Sequence, residues 1–413
     1  MTVEKYHFHT REVAFSVLQT RMESIRTKDI IKTGYRVFEN GLIGVAGVLG
    51  TCGETEENRL IEKAREKLFL EIEYPYPPSA NLSRTIDMTR EIVPRERLFS
   101  EITALLSDLK KRQPDFSFAN QVSQAWIERD LVNDRGLDLH YRDHTMMVGL
   151  TFKEKTSANI MDGCVGYVSR RYDRAEYLAM ADNICDAFSR QLDPLPAGRY
   201  PVIFDEESSP VLGKFITDLY GRTFATGGSV FSGKRGQKLF SERFSLEQYQ
   251  DSTRNLVPFF DAEGVVNENY RYTLIDAGRI ICPYTDKRTA ATYDLPHTGS
   301  ASAAYDQVPH AACYPLRAGC SGKTLKELLG GGTGIYIQMA EGGDFTPDGS
   351  FATPVQVAFL CDGERLVGRL PQFQISSHLF DMFGDRFRGR SSDILHPLSD
   401  SHTLVIEMNV SGI

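Results

Sequence analysis

Apolar residues recur every three to four positions in several segments of the first half of the chain, a spacing that predicts amphipathic helices. The clearest segments are Glu54–Ile72 and Arg95–Arg112, and a third runs from about Ala175 to Leu192. Residues Val13–Ser24 follow the same spacing more weakly, so we predict a helix there as well. The first half of the chain is therefore expected to be partly helical.

Elsewhere apolar and polar residues alternate, which is the pattern of strands with one buried face. Residues Asp29–Glu39 and the return segment LIGVAGVLG flank Asn40-Gly41, a dipeptide typical of a tight β-hairpin. From Phe116 onward, three longer segments alternate in the same way and predict successive antiparallel strands. From Tyr200 onward the predicted strands are short, and glycines separate them.

Prolines interrupt this pattern at two places. The stretch YPYPPSANLSR, residues 74–84, predicts a linker, and Pro194, Pro196 and Gly198 predict a domain boundary. We therefore predict an α+β protein. Its N-terminal α/β part, residues 1–195, would hold an antiparallel sheet and two or three helices, in subparts of about 1–73 and 85–195. A β-rich C-terminal domain, residues 196–413, would follow.

The composition of the chain argues against some classes of binding partner. The 413 residues carry a net charge of −8, whereas broad binding to nucleic acid or to an anionic membrane needs an excess of Lys and Arg. No stretch approaches the ~20 apolar residues of a membrane span, and the start MTVEKYHFHTREVAF does not resemble a signal peptide. Seven scattered cysteines without a CxxC pair indicate reduced thiols. We expect a cytoplasmic protein with no nucleic-acid or membrane partner.

Two groups of residues resemble metal sites but lack the required spacing. His140 and His144 would share one face of a helix, yet they lie in an alternating segment, and four residues of a strand span ~13 Å. A second group lies in the long loop from Pro296 to Gly322 and matches no zinc pattern: His297, His310, Cys313 and Cys320. We predict no metal at either place, and a thiol nucleophile in the loop, Cys313 or Cys320, stays open as an alternative.

Two further groups have plain structural interpretations. Gly330–Gly332 lack the GK[ST] ending of a phosphate-binding loop, and glycines that end the helix of TLKELLG explain them more simply. Asp205, Glu206 and Glu207 precede the short predicted helix SPVLGKFITDLYG, where acidic residues stabilise the positive end of the helix dipole.

The order of several segments along nearly the whole chain resembles the TldD/PmbA family, whose members are also labelled modulators of DNA gyrase. In the first half these segments are GYRVFENGLIGVAGVLG, TEENRLIEKAREKL and LVNDRGLDLHYRD. In the second half they are VIFDEESSPVLGKFITDLYG, GSVFSGKRGQKLF, FFDAEGV, TLIDAGRI, GTGIYIQMAEGGDFTPDGSF, LFDMFGD and NVSGI.

Members of the TldD kind carry an HExxxH zinc motif in the helix after the strand that corresponds to PVIFD, and a downstream cysteine as a further ligand. Here that helix is SSPVLGKFITDL, and no histidine occurs between His144 and His297. The chain is therefore similar to the PmbA (TldE) kind. The resemblance implies no catalytic residue, no metal and no cofactor, and a TldD-like metalloprotease subunit or a second copy of the chain as partner.

The family's proteases take unfolded, extended peptides into an internal chamber, so the resemblance implies a non-catalytic subunit that lines such a chamber. We predict a lining from three segments: Gly227, Gly228, Ser229, Asp261, Glu263, Gly264, Gly342, Gly343, Asp344 and Phe345. Close approach to a peptide backbone favours glycine, although ordinary turns explain these glycines equally well. The alternatives are a self-associating peptide-binding protein and a hydrolase with a non-metal nucleophile.

Overall fold

The computed structural model describes residues 1–75, 77–207, 209–399 and 401–412. It combines a seven-stranded and a nine-stranded sheet with eight α-helices in the described residues, which confirms the predicted α+β class. Within the same residues, no helix has the length and apolar character that crossing a membrane requires.

The first half forms the seven-stranded sheet. Its strands are β1 (Thr2–Leu18), β2 (Arg21–Glu39), β3 (Leu42–Leu49), β4 (Leu82–Asp87), β5 (Phe116–Asn133), β6 (Leu137–Glu154) and β7 (Gly163–Ser169). They lie in the order β3-β2-β1-β5-β6-β4, and β7 also pairs with β6. Because β4 pairs with residues 137–142 of β6 and β7 with residues 146–152, the two short strands follow one another along the same side of β6.

The helix predicted at Val13–Ser24 is wrong, because this segment is the hairpin between β1 and β2. Gln19 and Thr20 form its turn, with φ values of 50° and 58°. Strand β1 pairs along its length with β2 on one side and β5 on the other, so long-range hydrogen bonds outweigh the weak helical spacing. The predicted hairpin at Asn40-Gly41 is confirmed, and both residues have positive φ.

Three longer helices accompany the first sheet: α1 (Glu54–Glu66), α2 (Arg95–Arg112) and α3 (Arg174–Ser189). A 3-10 turn, Lys67–Leu70, extends α1. Helix α2 buries Leu98, Ile102, Leu105, Leu106 and Leu109, as its spacing predicts. The predicted linker 74–84 was wrong in its last three residues, because Leu82 begins strand β4, which pairs in parallel with β6.

The second half is rich in strands. Its nine-stranded sheet has the order β16-β17-β20-β22-β8-β15-β18-β19, and β21 also pairs with β22. These strands are β8 (Gly198–Asp205), β15 (Gly334–Met339), β16 (Asp344–Phe345), β17 (Ser350–Val355), β18 (Val357–Cys361), β19 (Leu366–Arg369), β20 (Phe373–His378), β21 (Phe387–Arg390) and β22 (Thr403–Gly412). Only β8 and β15 pair in parallel among them.

Smaller elements complete the second half of the chain. A four-stranded sheet has the order β11-β10-β9-β14, and β12 pairs with β13. Their bounds are β9 (Leu246–Tyr249), β10 (Arg271–Asp276), β11 (Arg279–Ile280), β12 (Ala301–Ser302), β13 (His310–Ala311) and β14 (Leu316–Ala318). The short helices are α4 (Gly213–Asp218), α5 (Gly221–Ala225), α6 (Lys287–Tyr293), α7 (Leu325–Leu328) and α8 (Leu379–Met382).

The largest cluster of buried side chains joins the two halves. It contains Phe118 and Phe152 from the first sheet, Phe188 from α3, and Ile203 and Phe359 from the nine-stranded sheet. The boundary near residue 195 stays a prediction, and any boundary there crosses a shared apolar core.

Candidate functional site

A cavity of about 600 Å³ opens where the zinc-binding helix of the TldD kind is expected. We name it the β8 cavity, because Asp205–Glu207 at the end of β8 form one wall. Leu212 and Ile216, from α4 and the 3-10 turn before it, form another wall. Leu212 is buried and Ile216 is half exposed. Apolar side chains, which bind no metal, therefore face the cavity from this helix.

Two of the acidic residues of the β8 cavity, Asp205 and Glu206, accept hydrogen bonds from residues outside α4. Tyr336 donates a 2.7 Å hydrogen bond to Asp205, and Arg390 donates one of 2.7 Å to Glu206. Burial raises the pKa of both carboxyls, although Arg390 acts in the opposite direction on Glu206. These partners, rather than the dipole of the short helix, hold both carboxylates. The helix-dipole interpretation is therefore wrong for Asp205 and Glu206.

Cys313, one of the two candidate nucleophiles, also lines the β8 cavity. Burial raises the pKa of its thiol to about 12. The thiol donates to the backbone carbonyl of Tyr314 at 3.3 Å. Because the thiolate is the reactive form, a thiol with so high a pKa is a poor nucleophile at neutral pH.

The outer edge of β7 runs along the β8 cavity. Cys164 directs both its backbone N–H and its C=O to the side chain of Gln338, away from β6. Residues two apart in a strand point their backbone groups the same way. Gly166 and Val168 therefore also present N–H and C=O groups away from β6, and both residues line the cavity. Among the described residues, these outward groups have no hydrogen-bond partner.

A second cavity, of about 770 Å³, adjoins the first, and Arg254 lines both. We name it the arginine cleft, because seven arginines but only two carboxylates line it among the residues that the structure describes. The arginines are Arg90, Arg170, Arg171, Arg254, Arg271, Arg317 and Arg390, and the carboxylates are Glu247 and Asp276. Ser169, at the end of β7, and Cys320, the other candidate nucleophile, lie in the same lining.

The turn of residues 261–264, which we name the acid turn, lies elsewhere and joins the two halves of the chain. The ligand atoms of Asp261, Glu263 and His297 lie within 4.8 Å of one another, a group that by donor type is able to hold a metal ion. From the first half, Tyr74 donates to Glu263, and Ser79 donates to the Glu263 carbonyl at 2.6 Å.

Every carboxylate oxygen of the acid turn already accepts a hydrogen bond. Asp261 accepts from the backbone N–H groups of Glu263 and Val265 at 2.9 Å, and of Ala301 at 3.1 Å. Besides Tyr74, Glu263 accepts from the backbone N–H of Lys287 at 2.9 Å and from His297 Nε2 at 3.3 Å. A metal would have to displace several of these donors, so the group fits a structural clamp better than a metal site.

The two buried carboxyls of the acid turn have pKa values shifted in opposite directions. Burial and the neighbouring Glu263 raise the pKa of Asp261 to about 7. Burial acts to raise the pKa of Glu263 too, but the hydrogen bonds from His297 and Tyr74 outweigh it and lower the pKa. Glu263 is therefore the more acidic of the two carboxyls.

Residues 197–412 match the sequence pattern of the PmbA/TldA metallopeptidase C-terminal domain, which is more than half of the chain. The chain belongs to the PmbA/TldD family. No curated protein sequence matches it.

Solved structures of PmbA/TldD relatives share the fold along the whole chain. TldE from Thermococcus kodakarensis superposes with a TM-score of 0.77 at 17% identity, covering 100% of this chain and 97% of that one. A proposed modulator of DNA gyrase from Thermotoga maritima gives 0.76 at 15% identity, covering 99% and 96%. Another from Bacteroides thetaiotaomicron gives 0.76 at 14% identity, covering 100% and 95%.

The ten residues predicted to line a peptide chamber lie in three separate places of this PmbA/TldD fold. Gly227, Gly228 and Ser229 form the turn after α5, and Asp261, Glu263 and Gly264 form the acid turn. Gly342 and Gly343 precede β16, which Asp344 and Phe345 form, and Asp344 lines a separate cavity of about 570 Å³. None of the ten lines the β8 cavity or the arginine cleft. Their role stays a prediction.

His140 and His144, the two histidines considered as a metal site, contact different residues. His140 and His144 lie on β6, as the alternation predicts. His140 contacts Asp130 at 2.8 Å and Asp138 at 2.7 Å, whereas His144 stacks on Trp126 at 4.2 Å between ring centroids.

The arginine cleft was not predicted from the sequence, because its arginines come from positions between 90 and 390 and form no local motif.

Proposed function

We propose that this protein is a non-catalytic, peptide-binding subunit of the TldE kind, which acts with a TldD-type metalloprotease on unfolded peptides. Membership of a metallopeptidase family supports this proposal. So does the apolar character of Leu212 and Ile216 on the helix where the TldD kind carries zinc ligands. The same role implies a cytoplasmic protein whose assembly includes the protease subunit or a second copy of this chain.

The free edge of β7 is the observation that carries the proposal. An extended peptide adds to a sheet edge through main-chain hydrogen bonds, which are independent of its sequence. Gly166 and Val168 offer two outward N–H and two outward C=O groups at the β8 cavity. Val168 is 45% exposed, so a peptide laid along β7 would also cover an apolar side chain. The peptide would bind without any catalytic group of this chain.

A backbone substitution tests this role. Val168→Pro removes one outward N–H but no hydrogen bond to β6, and edge strands tolerate proline. We expect binding of a short labelled unfolded peptide, measured by fluorescence anisotropy, to weaken about fivefold, because a net hydrogen bond contributes ~1 kcal/mol. Val168→Ala keeps the N–H and should bind almost as the wild type does. Equal binding by the proline and alanine variants would contradict the proposal.

Mass spectrometry of the bound peptide tests the non-catalytic part. We expect the purified chain to return the peptide uncut, and cutting to begin only when a TldD-like chain is added. Cleavage by the rigorously purified chain in the presence of a chelator, abolished by Cys320→Ala, would instead support a thiol hydrolase. Tight peptide binding with no association with any TldD-like chain from the native cell would support the self-associating alternative.

A further inference from the structure

We propose that the arginine cleft binds the carboxylates of acidic peptide substrates and so gives this subunit a preference for them. This inference rests on the proposed peptide-binding function and names its substrate class. The chain as a whole carries a net charge of −8, yet the cleft collects seven arginines and two carboxylates. A local field opposite to the net charge attracts anionic ligands to the cleft.

Three of the arginines are neutralised by residues of the fold. Arg170 binds Asp143 through two hydrogen bonds of 2.7 and 2.9 Å, and both side chains are buried. Arg390 binds Glu206 at 2.7 Å, and Arg171 binds Glu176 at 2.8 Å. These three ion pairs are part of the fold, so binding of a ligand would depend on the other four arginines of the cleft.

Arg254 and Arg317 have no ion pair with any carboxylate in the part of the chain that the structure describes. The Arg317 guanidinium lies 3.9 Å from the centre of the Tyr249 ring, which orients it. Arg254 is exposed at the junction of the two cavities. Arg271 lies 3.9 Å from Glu247, near the limit for an ion pair. The cleft therefore holds positive charge that its own carboxylates do not balance.

The cleft continues the path of the β7 edge. Ser169 of the cleft follows Val168 of the β8 cavity directly, and Arg254 lines both. The four-stranded sheet supplies another wall, where Arg317 of β14 and Thr273 of β10 both lie opposite Glu247 of β9. A peptide held along β7 would therefore bring its neighbouring side chains or its terminal carboxylate next to Arg254 and Arg317.

The lining favours carboxylates of a peptide over a nucleotide or a nucleic acid. Guanidinium groups bind carboxylates and phosphates in the same forked geometry, so the arginines alone do not separate these ligands. However, no Phe, Tyr or Trp of the described part of the chain lines the cleft, and these are the side chains on which nucleobases stack. The net charge of −8 also opposes a long polyanion. A short acidic peptide needs no aromatic side chain for stacking, and it is not a long polyanion.

The test compares two labelled unfolded peptides that differ only by Glu→Gln replacements, with the full chain and fluorescence anisotropy. We expect the Glu peptide to bind the wild-type protein about tenfold more tightly, as two partly exposed ion pairs allow, and added salt to reduce the difference. Arg254→Gln combined with Arg317→Gln should abolish the preference. The matched control, Arg222→Gln with Arg288→Gln, changes the net charge equally outside the cleft and should retain it.

The outcomes separate this inference from the proposed function. If both peptides bind the wild-type protein equally, the inference fails and the peptide-binding role stands. If neither peptide binds, the proposed function fails with it. If inorganic phosphate displaces the Glu peptide at a lower concentration than glutarate does, the cleft is a phosphate site and the inference is overturned. The wild-type comparison needs no variant, so a variant that does not fold leaves the test intact.

Discussion

Tyr74→Phe tests whether the acid turn clamps the two halves of the chain together. The substitution removes only the hydroxyl that donates to Glu263, and both side chains are buried. It leaves a buried, charged oxygen without that donor, which costs about 2–3 kcal/mol. We expect a loss of that size in the free energy of unfolding, since the other oxygen of Glu263 keeps its bonds to Lys287 and His297.

A double-mutant cycle isolates this contact. In a Glu263→Gln background the acceptor is neutral, so removing the Tyr74 hydroxyl should cost only about 1 kcal/mol, and the coupling should be about 1 kcal/mol or more. Urea unfolding, followed by circular dichroism and by the fluorescence of Trp126, the only tryptophan, measures each free energy. Tyr200→Phe removes a more exposed hydroxyl bonded to the Pro196 carbonyl at 3.0 Å and serves as control.

The control should cost less than about 0.5 kcal/mol. A loss for Tyr74→Phe no larger than the control's, or a coupling below about 0.3 kcal/mol, would refute the clamp.

Three further predictions concern pH, packing and thiol chemistry. The folded pKa of Asp261, about 7, exceeds its ordinary 3.8, so its contribution to stability should fall as pH rises from about 4 to 7; urea unfolding should show this trend in the wild type but not in Asp261→Asn. Gly343→Ala places a Cβ 2.0 Å from a carbonyl oxygen of β17 and should lower the melting temperature, whereas Gly213→Ala, with open space and φ −56°, should raise it slightly. Iodoacetamide at pH 8 should label exposed Cys320 well before the partly buried Cys313, whose pKa is about 12; equal labelling, seen by mass spectrometry, would contradict the assignment of Cys313 as a poor nucleophile.

Features that depend on neighbouring residues could be predicted from the sequence. The leucine spacing of Arg95–Arg112 sets the buried face of α2, and Asn40-Gly41 closes a hairpin because both residues adopt positive φ. Gly330 and Gly331 have φ values of 67° and 74° after α7, which confirms that they end this helix. The order of the family motifs and the absence of histidine from SSPVLGKFITDL can likewise be seen directly in the sequence.

Features that depend on distant partners were decided by the tertiary structure. Val13–Ser24 became a hairpin, and residues 82–84 joined a strand, because pairing with β5 and β6 outweighs local preference. The contact of Tyr74 with Glu263 joins residues 189 positions apart. Arg254 and Arg317 of the cleft come together because β14 pairs with β9 and both arginines lie in the same lining as Ser169 of β7. The spacing of residues along the sequence does not indicate such contacts. The sequence by itself determined the family, the main helices and the absence of histidine from SSPVLGKFITDL. The acid turn with its Tyr74 contact, the free edge of β7 and the arginine cleft exist only once the chain has folded, since each is made by residues that meet only in space.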